Sequence, residues 1–202
     1  FCSEEKKQAR EMKSDAYQLL DMAAAAVPAG AYGLQVCMGN LFNTARWLHA
    51  PATFMGWDIW DVQKSRKEGF YRALLENVAY QARGEFEKIY RSTGFEPKGI
   101  IFCGGASKSQ LWAQILADVL AREIIVPKIR EATALGAAIC VLVGIKEYDD
   151  FQEAVGNIVV YENRFNPAHT NVKMYDEQYT KWCRIYEHML RLADRGLCAP
   201  FW

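Results

Sequence analysis

One stretch constrains this chain more than any other. An apolar run over residues 99–103 meets the pair Gly104-Gly105 and passes at once into a helical pattern over 107–120. A second apolar run, 123–126, leads in the same way into a helical pattern over 133–143. Strand then helix, repeated, is the signature of an α/β sheet with helices packed on it. Upstream, Phe70, Leu74, Val78, Ala82, Phe86 and Ile89 recur at three- and four-residue intervals until Gly94, which predicts one long helix over 67–93 with an apolar stripe. Residues 3–26 are helical in composition, as one broken helix or two, and stop at Val27-Pro28. Residues 34–38 and 53–57 read as strands. A last long helix, 172–194, places Tyr175, Tyr179, Trp182, Tyr186, Met189 and Leu190 on one face, which would clamp the tail onto the domain.

Composition narrows the partners. The 202 residues are 51% hydrophobic, enough for one domain with an ordinary core. Lys plus Arg number 24 and Asp plus Glu 24, so no net field gathers nucleic acid or an anionic membrane, and a small molecule is the expected partner. Six scattered cysteines show neither metal-ligand nor disulfide spacing and suit a reducing cytoplasm. The longest apolar run, 134–145, falls short of the roughly 20 residues a membrane span needs; its glycines suit a packed core helix. The charged opening after Phe1-Cys2 is no signal peptide and reads as a fragment boundary.

The chemistry-bearing segment is Gly104-Gly105-Ala106-Ser107-Lys108-Ser109. Glycines let the main chain approach a ligand, and the free amides at the start of the following helix suit phosphate oxygens. Ser107, Lys108 and Ser109 stand where side chains add contacts. Geometry alone leaves a second reading open, a strand-to-helix turn whose glycines only permit tight packing. The spacing matches neither G-x-x-x-x-G-K-[ST] nor G-x-G-x-x-G. In a second segment, Glu131-Ala132-Thr133-Ala134-Leu135-Gly136-Ala137-Ala138, Thr133 can cap a helix whose small residues allow close packing, and local grounds favour a core role.

These two segments, with Trp112, Gln114 and Ala117-Asp118 between them, resemble the carboxy-terminal signature of the FGGY carbohydrate kinases. The helix bearing Arg72-Ala73 and Glu76-Asn77 resembles the one preceding the nucleotide strand in that family. The resemblance implies an actin-like, ribonuclease-H-like α/β domain with a mixed sheet, helices on both faces and a carboxy-terminal helix. It implies the second of two domains, residues 1–202 being the ATP-binding one and the amino-terminal substrate domain absent. It places Gly104, Gly105 and Ala106 against the phosphates and ribose of ATP, Ser109 near the adenosine end, and Lys108 within approach of a phosphate. Magnesium and the aspartate general base belong to the other domain, so this half alone is expected to be inactive. Five further stretches, 1–6, 47–50, 108–112, 114–119 and 194–197, point to the subgroup acting on autoinducer-2, a small quorum-sensing, sugar-like diketone.

His49, His169 and His188 stand apart in sequence and are assigned no role. Asp118, inside an amphipathic helix, is expected to be structural, Cys103 a packing residue, and Glu4 to Lys13 a solvated helix face. Alternatives stand beside this reading: a kinase of another carbohydrate or polyol in the same family, an ATP-binding regulator without catalysis, and an interaction module whose glycine turn is only structural. An upstream substrate domain favours the first reading, and failure to bind nucleotide favours the last. A severed interdomain face near the glycine turn and the amino-terminal helix would invite self-association into a homodimer.

Overall fold

The computed structural model describes residues 3–39 and 49–200. The sequence stretches beginning at Phe1-Cys2 and Trp47-Leu48 therefore lie partly outside the described residues. The amino-terminal segment is two helices, α1 (Ser3–Met12) and α2 (Ala16–Ala25); Asp15 breaks the run, turning extended and capping α2 by accepting from the Tyr17 amide at 3.0 Å. Strands β1 (Gln35–Gly39) and β2 (Ala50–Met55) pair antiparallel. The short α3 (Val62–Ser65) precedes the long α4 (Lys67–Thr93), which Gly94 ends in the left-handed conformation. Next come β3 (Gly99–Ile101), α5 (Gln110–Leu120), β4 (Glu123–Pro127), α6 (Ala132–Gly144), α7 (Phe151–Ile158), β5 (Tyr161–Phe165) and α8 (His169–Asp194).

The three-stranded sheet runs in the order β3-β4-β5; β3 and β4 are parallel, and β5 returns antiparallel along β4. Because β3 and β4 are parallel, the loops that leave them emerge at the same edge of the sheet. That edge carries the glycine turn. The pattern expected for residues 107–120 divides in two, since Gly105–Lys108 is a 3-10 turn and α5 begins only after Ser109.

Helix α8 closes the core as its aromatic spacing predicts. Tyr175, Tyr179, Trp182 and Tyr186 are all buried. The Trp182 indole donates to Val36 O at 2.7 Å and to Asn77 Oδ1 at 3.1 Å, and Tyr186 donates to Gly39 O at 2.9 Å. Each buried ring thereby satisfies its polar end while tying α8 to the β1–β2 pair. Asp118 is structural: buried, it accepts from Gln114 Nε2, the Ala168 amide and Asn171 Nδ2, each at 2.8 Å, and so anchors the start of α8 to α5.

Two expectations are corrected. The buried face of α4 is not the stripe that the spacing marks: Val78 and Ile89 are exposed, whereas Arg72, Glu76 and Asn77 are buried beside Ala73, Leu75, Ala79 and Tyr80. The reason is a polar cluster. Glu76 Oε1 accepts from Arg72 Nε at 3.0 Å, Tyr175 Oη at 2.8 Å and the Gly30 amide at 2.9 Å, while Arg72 also donates to Tyr175 Oη at 3.1 Å. Burial pushes the Glu76 carboxyl above its ordinary range, against the opposing pull of Arg72 and these hydrogen bonds. Helix α6, in turn, is not a core helix. Ile139 is its one buried residue, while Ala132, Ala134, Ala137, Ala138 and Val141 face outward. Nor does Thr133 cap it; Glu131 holds that position, and no side-chain cap bond forms.

Helix α7 and strand β5 have no counterpart among the elements predicted from sequence. Asp150 starts α7 by accepting from the Glu153 amide at 2.8 Å. Strand β5 is largely exposed, so its residues lack the apolar pattern that marks a buried strand.

Burial also sorts the thiols. Cys37 is fully buried and its thiol is pushed up to about 12 by that burial, whereas Cys140 lies exposed on α6. Iodoacetamide at pH 8 is therefore expected to label Cys140 and to spare Cys37 until denaturant is added, as peptide mass mapping reads directly. Labelling of Cys37 at the same rate in the folded protein would contradict this core.

Candidate functional site

The glycine turn is built by its backbone. Gly104 has φ 82° and ψ −175°, a region that only glycine occupies without strain, and its amide donates to Arg130 O at 2.8 Å. That bond joins the loop leaving β3 to the loop leaving β4. Ser107 turns its hydroxyl inward onto Gly104 O at 2.7 Å, and its own amide donates to the same carbonyl at 3.1 Å. The turn is thus fixed before any ligand arrives.

Gly104 is therefore a conformational residue whose amide is already used. Gly105 and Ala106 start the 3-10 turn, and among the described residues their amides meet no acceptor outside it. A Cβ built on Gly105 meets nothing within 4 Å, so the face above it is open. Two free amides under an open space, at the edge of the sheet where two parallel strands end, form a cradle for an anionic group. The side chains contribute differently. Ser109 caps α5, its Oγ accepting from the Trp112 amide at 3.0 Å, and Lys108 is exposed. Cys103 is half-buried and Phe102 packs edge-to-face on Trp112 with ring centroids 5.9 Å apart, which seats the turn on α5.

The sequence reading missed Arg130 and Glu162. Arg130 leaves β4 as Gly104 leaves β3, and its guanidinium is held by Glu162 Oε2 of β5 at 3.0 Å. The strand–helix alternation brings the residues that follow two parallel strands near each other, but no local pattern names the Arg130–Gly104 bond, and Glu162 comes from the antiparallel β5. Of the histidines, His49 is buried, and the His188 ring lies 2.7 Å from Arg184 O in its own helix. Among the described residues, no group of three or more His, Cys, Asp or Glu side chains is placed to hold a metal. No helix there is long and apolar enough to cross a membrane.

Comparison with known proteins decides the family. A model described as the C-terminal domain of the FGGY family of carbohydrate kinases matches residues 2–145. The chain belongs to that family. Across all 202 residues it is 37% identical to an autoinducer-2 kinase of Klebsiella pneumoniae, and 36% identical to one of Salmonella typhimurium. It spans 38% of the length of each of these FGGY relatives. Among solved structures, xylulose kinase from Rhodospirillum rubrum superposes with a TM-score of 0.69 at 26% identity, covering 86% of this chain and 34% of that one. A Plasmodium falciparum glycerol kinase solved with ADP shares the fold, with a TM-score of 0.71 at 20% identity over 92% of this chain and 36% of its own. The domain thus has the actin-like ATPase fold of the FGGY kinases, with a carboxy-terminal helix. The tail beyond residue 145 adds β5 and α8, which supply Glu162 to the rim and Tyr175 to the buried cluster.

Proposed function

We propose that this chain is the ATP-binding half of a sugar kinase that moves the γ-phosphate of ATP to a hydroxyl of a small sugar-like substrate, autoinducer-2. The observation that carries the reading is the cradle at Gly104-Gly105-Ala106: free amides at Gly105 and Ala106, an open face above Gly105, and a backbone already locked by Arg130 and Ser107. Amide donors fixed in advance stabilise phosphate charge without reorganising, which is what phosphoryl transfer asks of a protein. In this reading Gly105 and Ala106 donate to phosphate oxygens and Gly104 sets the turn. Lys108, exposed at its end, supplies a cation, and Ser109 contributes near the adenosine chiefly by fixing the start of α5. Magnesium, held mainly by the amino-terminal domain, would supply positive charge against the phosphates. That domain, which we read as the remainder of the relatives' length, also supplies the sugar site and the general base. The activity therefore belongs to the two-domain protein, and residues 1–202 alone bind without turning over. The cytoplasm, where ATP and the substrate meet, is the expected compartment.

Isothermal titration tests this reading. ADP with magnesium is expected to bind saturably, and adenosine at least about 100-fold more weakly, because two charge-assisted amide bonds are lost. Equal affinity for the two would place the phosphates elsewhere.

The outward face of α6, which begins directly after Arg130, adds a prediction about assembly. Its row of small and apolar side chains is the surface we assign to the amino-terminal domain. For residues 1–202 taken alone, two copies are expected to pair through this face, so light scattering should report a homodimer that Ala137→Glu disperses. A monomer at millimolar concentration would remove this assignment.

A further inference from the structure

Arg130 stands where three elements meet. Its carbonyl oxygen accepts from the Gly104 amide at 2.8 Å and from the Ala132 amide at 2.9 Å, so one peptide group joins the glycine turn to the first residue of α6. Residues 128–131, which carry that carbonyl, lie between β4 and α6 and belong to neither. A connection without ladder bonds of its own keeps its position through the contacts it makes outside itself. Two of these run to β5 and the residue before it. The Lys128 amide donates to Val160 O at 2.8 Å, and the Arg130 guanidinium donates to Glu162 Oε2 at 3.0 Å. Lys128, Ile129 and Glu131 are exposed, which leaves Arg130 as the side chain of the connection that folds back on the domain. Its Nε is buried and meets no acceptor among the described residues, so the Glu162 carboxylate is what orients the guanidinium.

The same two strands carry a second ion pair that does not reach the turn. Arg164 of β5 donates to Glu123 Oε1 and Oε2 at 3.1 and 3.0 Å. Both pairs are partly exposed and modest in strength, and they differ in what they hold. Glu123 begins β4, at the end of the strand away from residues 128–131. Glu162 instead acts on the connection whose carbonyl fixes Gly104.

We propose that Glu162 is a positioning residue for the phosphate cradle: by holding the Arg130 guanidinium it fixes the connection after β4, whose carbonyl in turn sets the glycine turn that presents the amides of Gly105 and Ala106. The inference rests on the reading of that turn as the phosphate site. Gly105 follows Gly104 directly, so a displacement of the Gly104 bond passes into both amides, and their bonds to an anion weaken as donor and acceptor move out of line. The Glu162 carboxylate acts through Arg130 and not on the nucleotide, since an ionised carboxylate offers a phosphate no donor.

The test compares magnesium–ADP, followed by calorimetry, with adenosine, followed by saturation-transfer NMR. Glu162→Gln is expected to weaken ADP about two- to fivefold, the range an exposed ion pair spans, and to leave adenosine unchanged. Glu123→Gln should change neither ligand, although it removes a pair of the same kind from the same strands. Exchanging the two charges, Glu162→Arg with Arg130→Glu, separates positioning from direct contact. Substitution at position 130 leaves the carbonyl in place, so the exchanged pair should bring ADP affinity back to within about twofold of the unsubstituted protein, whereas Arg130→Glu alone should not. Urea unfolding checks that each variant keeps its fold. The proposal is overturned by ADP affinity indifferent to Glu162→Gln, by an equal loss in Glu123→Gln, by a loss that adenosine shares, or by an exchange that fails to restore binding, which would make Arg130 a phosphate ligand in its own right. Failure of the unsubstituted protein to bind ADP, alone and joined to the proposed amino-terminal domain, is a different result: it removes the cradle reading, and this inference with it.

Discussion

Gly105→Val is expected to remove measurable binding of magnesium–ADP and magnesium–ATP while leaving the fold unchanged. The position is unusual in allowing this separation. A Cβ at Gly105 meets nothing within 4 Å, and the residue does not share the positive φ of Gly104, so valine enters without backbone strain or collision. Its methyl groups would instead fill the open face where phosphate oxygens would meet the amides of Gly105 and Ala106. An expected affinity loss of about 100-fold or more matches the loss of two charge-assisted bonds. Gly104→Ala provides the contrast. Forced into a region reserved for glycine, it should cost roughly 1–3 kcal/mol of stability, with any loss of binding following from the distorted turn. Full binding by Gly105→Val would reduce the glycine pair to a packing turn. If the unsubstituted chain also fails to bind, the same pair of proteins joined to the proposed amino-terminal domain tells a cleft that needs both halves from a mistaken reading.

The second large effect is expected at the buried cluster. Arg72→Ala should destabilise the domain by about 3–5 kcal/mol, because it leaves the buried Glu76 carboxyl without the cation that offsets its burial. Glu76 is 2% exposed, so no water replaces what Arg72 supplied. Glu76→Gln should cost less, since burial already pushes this carboxyl toward its neutral form and the amide oxygen still accepts from Tyr175 and Gly30. In the double substitution the Arg72 effect should shrink, because the charge it balanced is gone. Urea unfolding of the four proteins measures this cycle, and strictly additive losses would show that the pair does not act as a unit.

The same residues show what a sequence discloses. Tyr175, Tyr179, Trp182 and Tyr186 announced their burial through spacing, because aromatic side chains at helical intervals have few other uses. The face of α4 was misread for the opposite reason. Arg72, Glu76 and Asn77 look solvated in sequence, and only partners from 39 to 105 residues away, such as Met38, Tyr175 and Trp182, make them buried. At the candidate site Gly104 and Gly105 were legible as a turn, but their division of labour was not. The Arg130 carbonyl occupies the Gly104 amide, and that depends on sheet pairing no local pattern encodes. Helix α6 read as core because its composition is apolar; composition does not say which molecule or domain covers it.

The bonds from α8 to β1 also bear on how the chain is made. Trp182 reaches back to Val36 over 146 residues, and Tyr186 to Gly39 over 147. During synthesis the β1–β2 strand pair must wait for α8 to leave the ribosome before its carbonyls find these donors. Until then it presents unpaired backbone and apolar surface to its surroundings. The early elements are thus held open by the length of the chain itself, and a polymerisation arrest shortly before residue 182 would leave a nascent domain whose interior is still a surface.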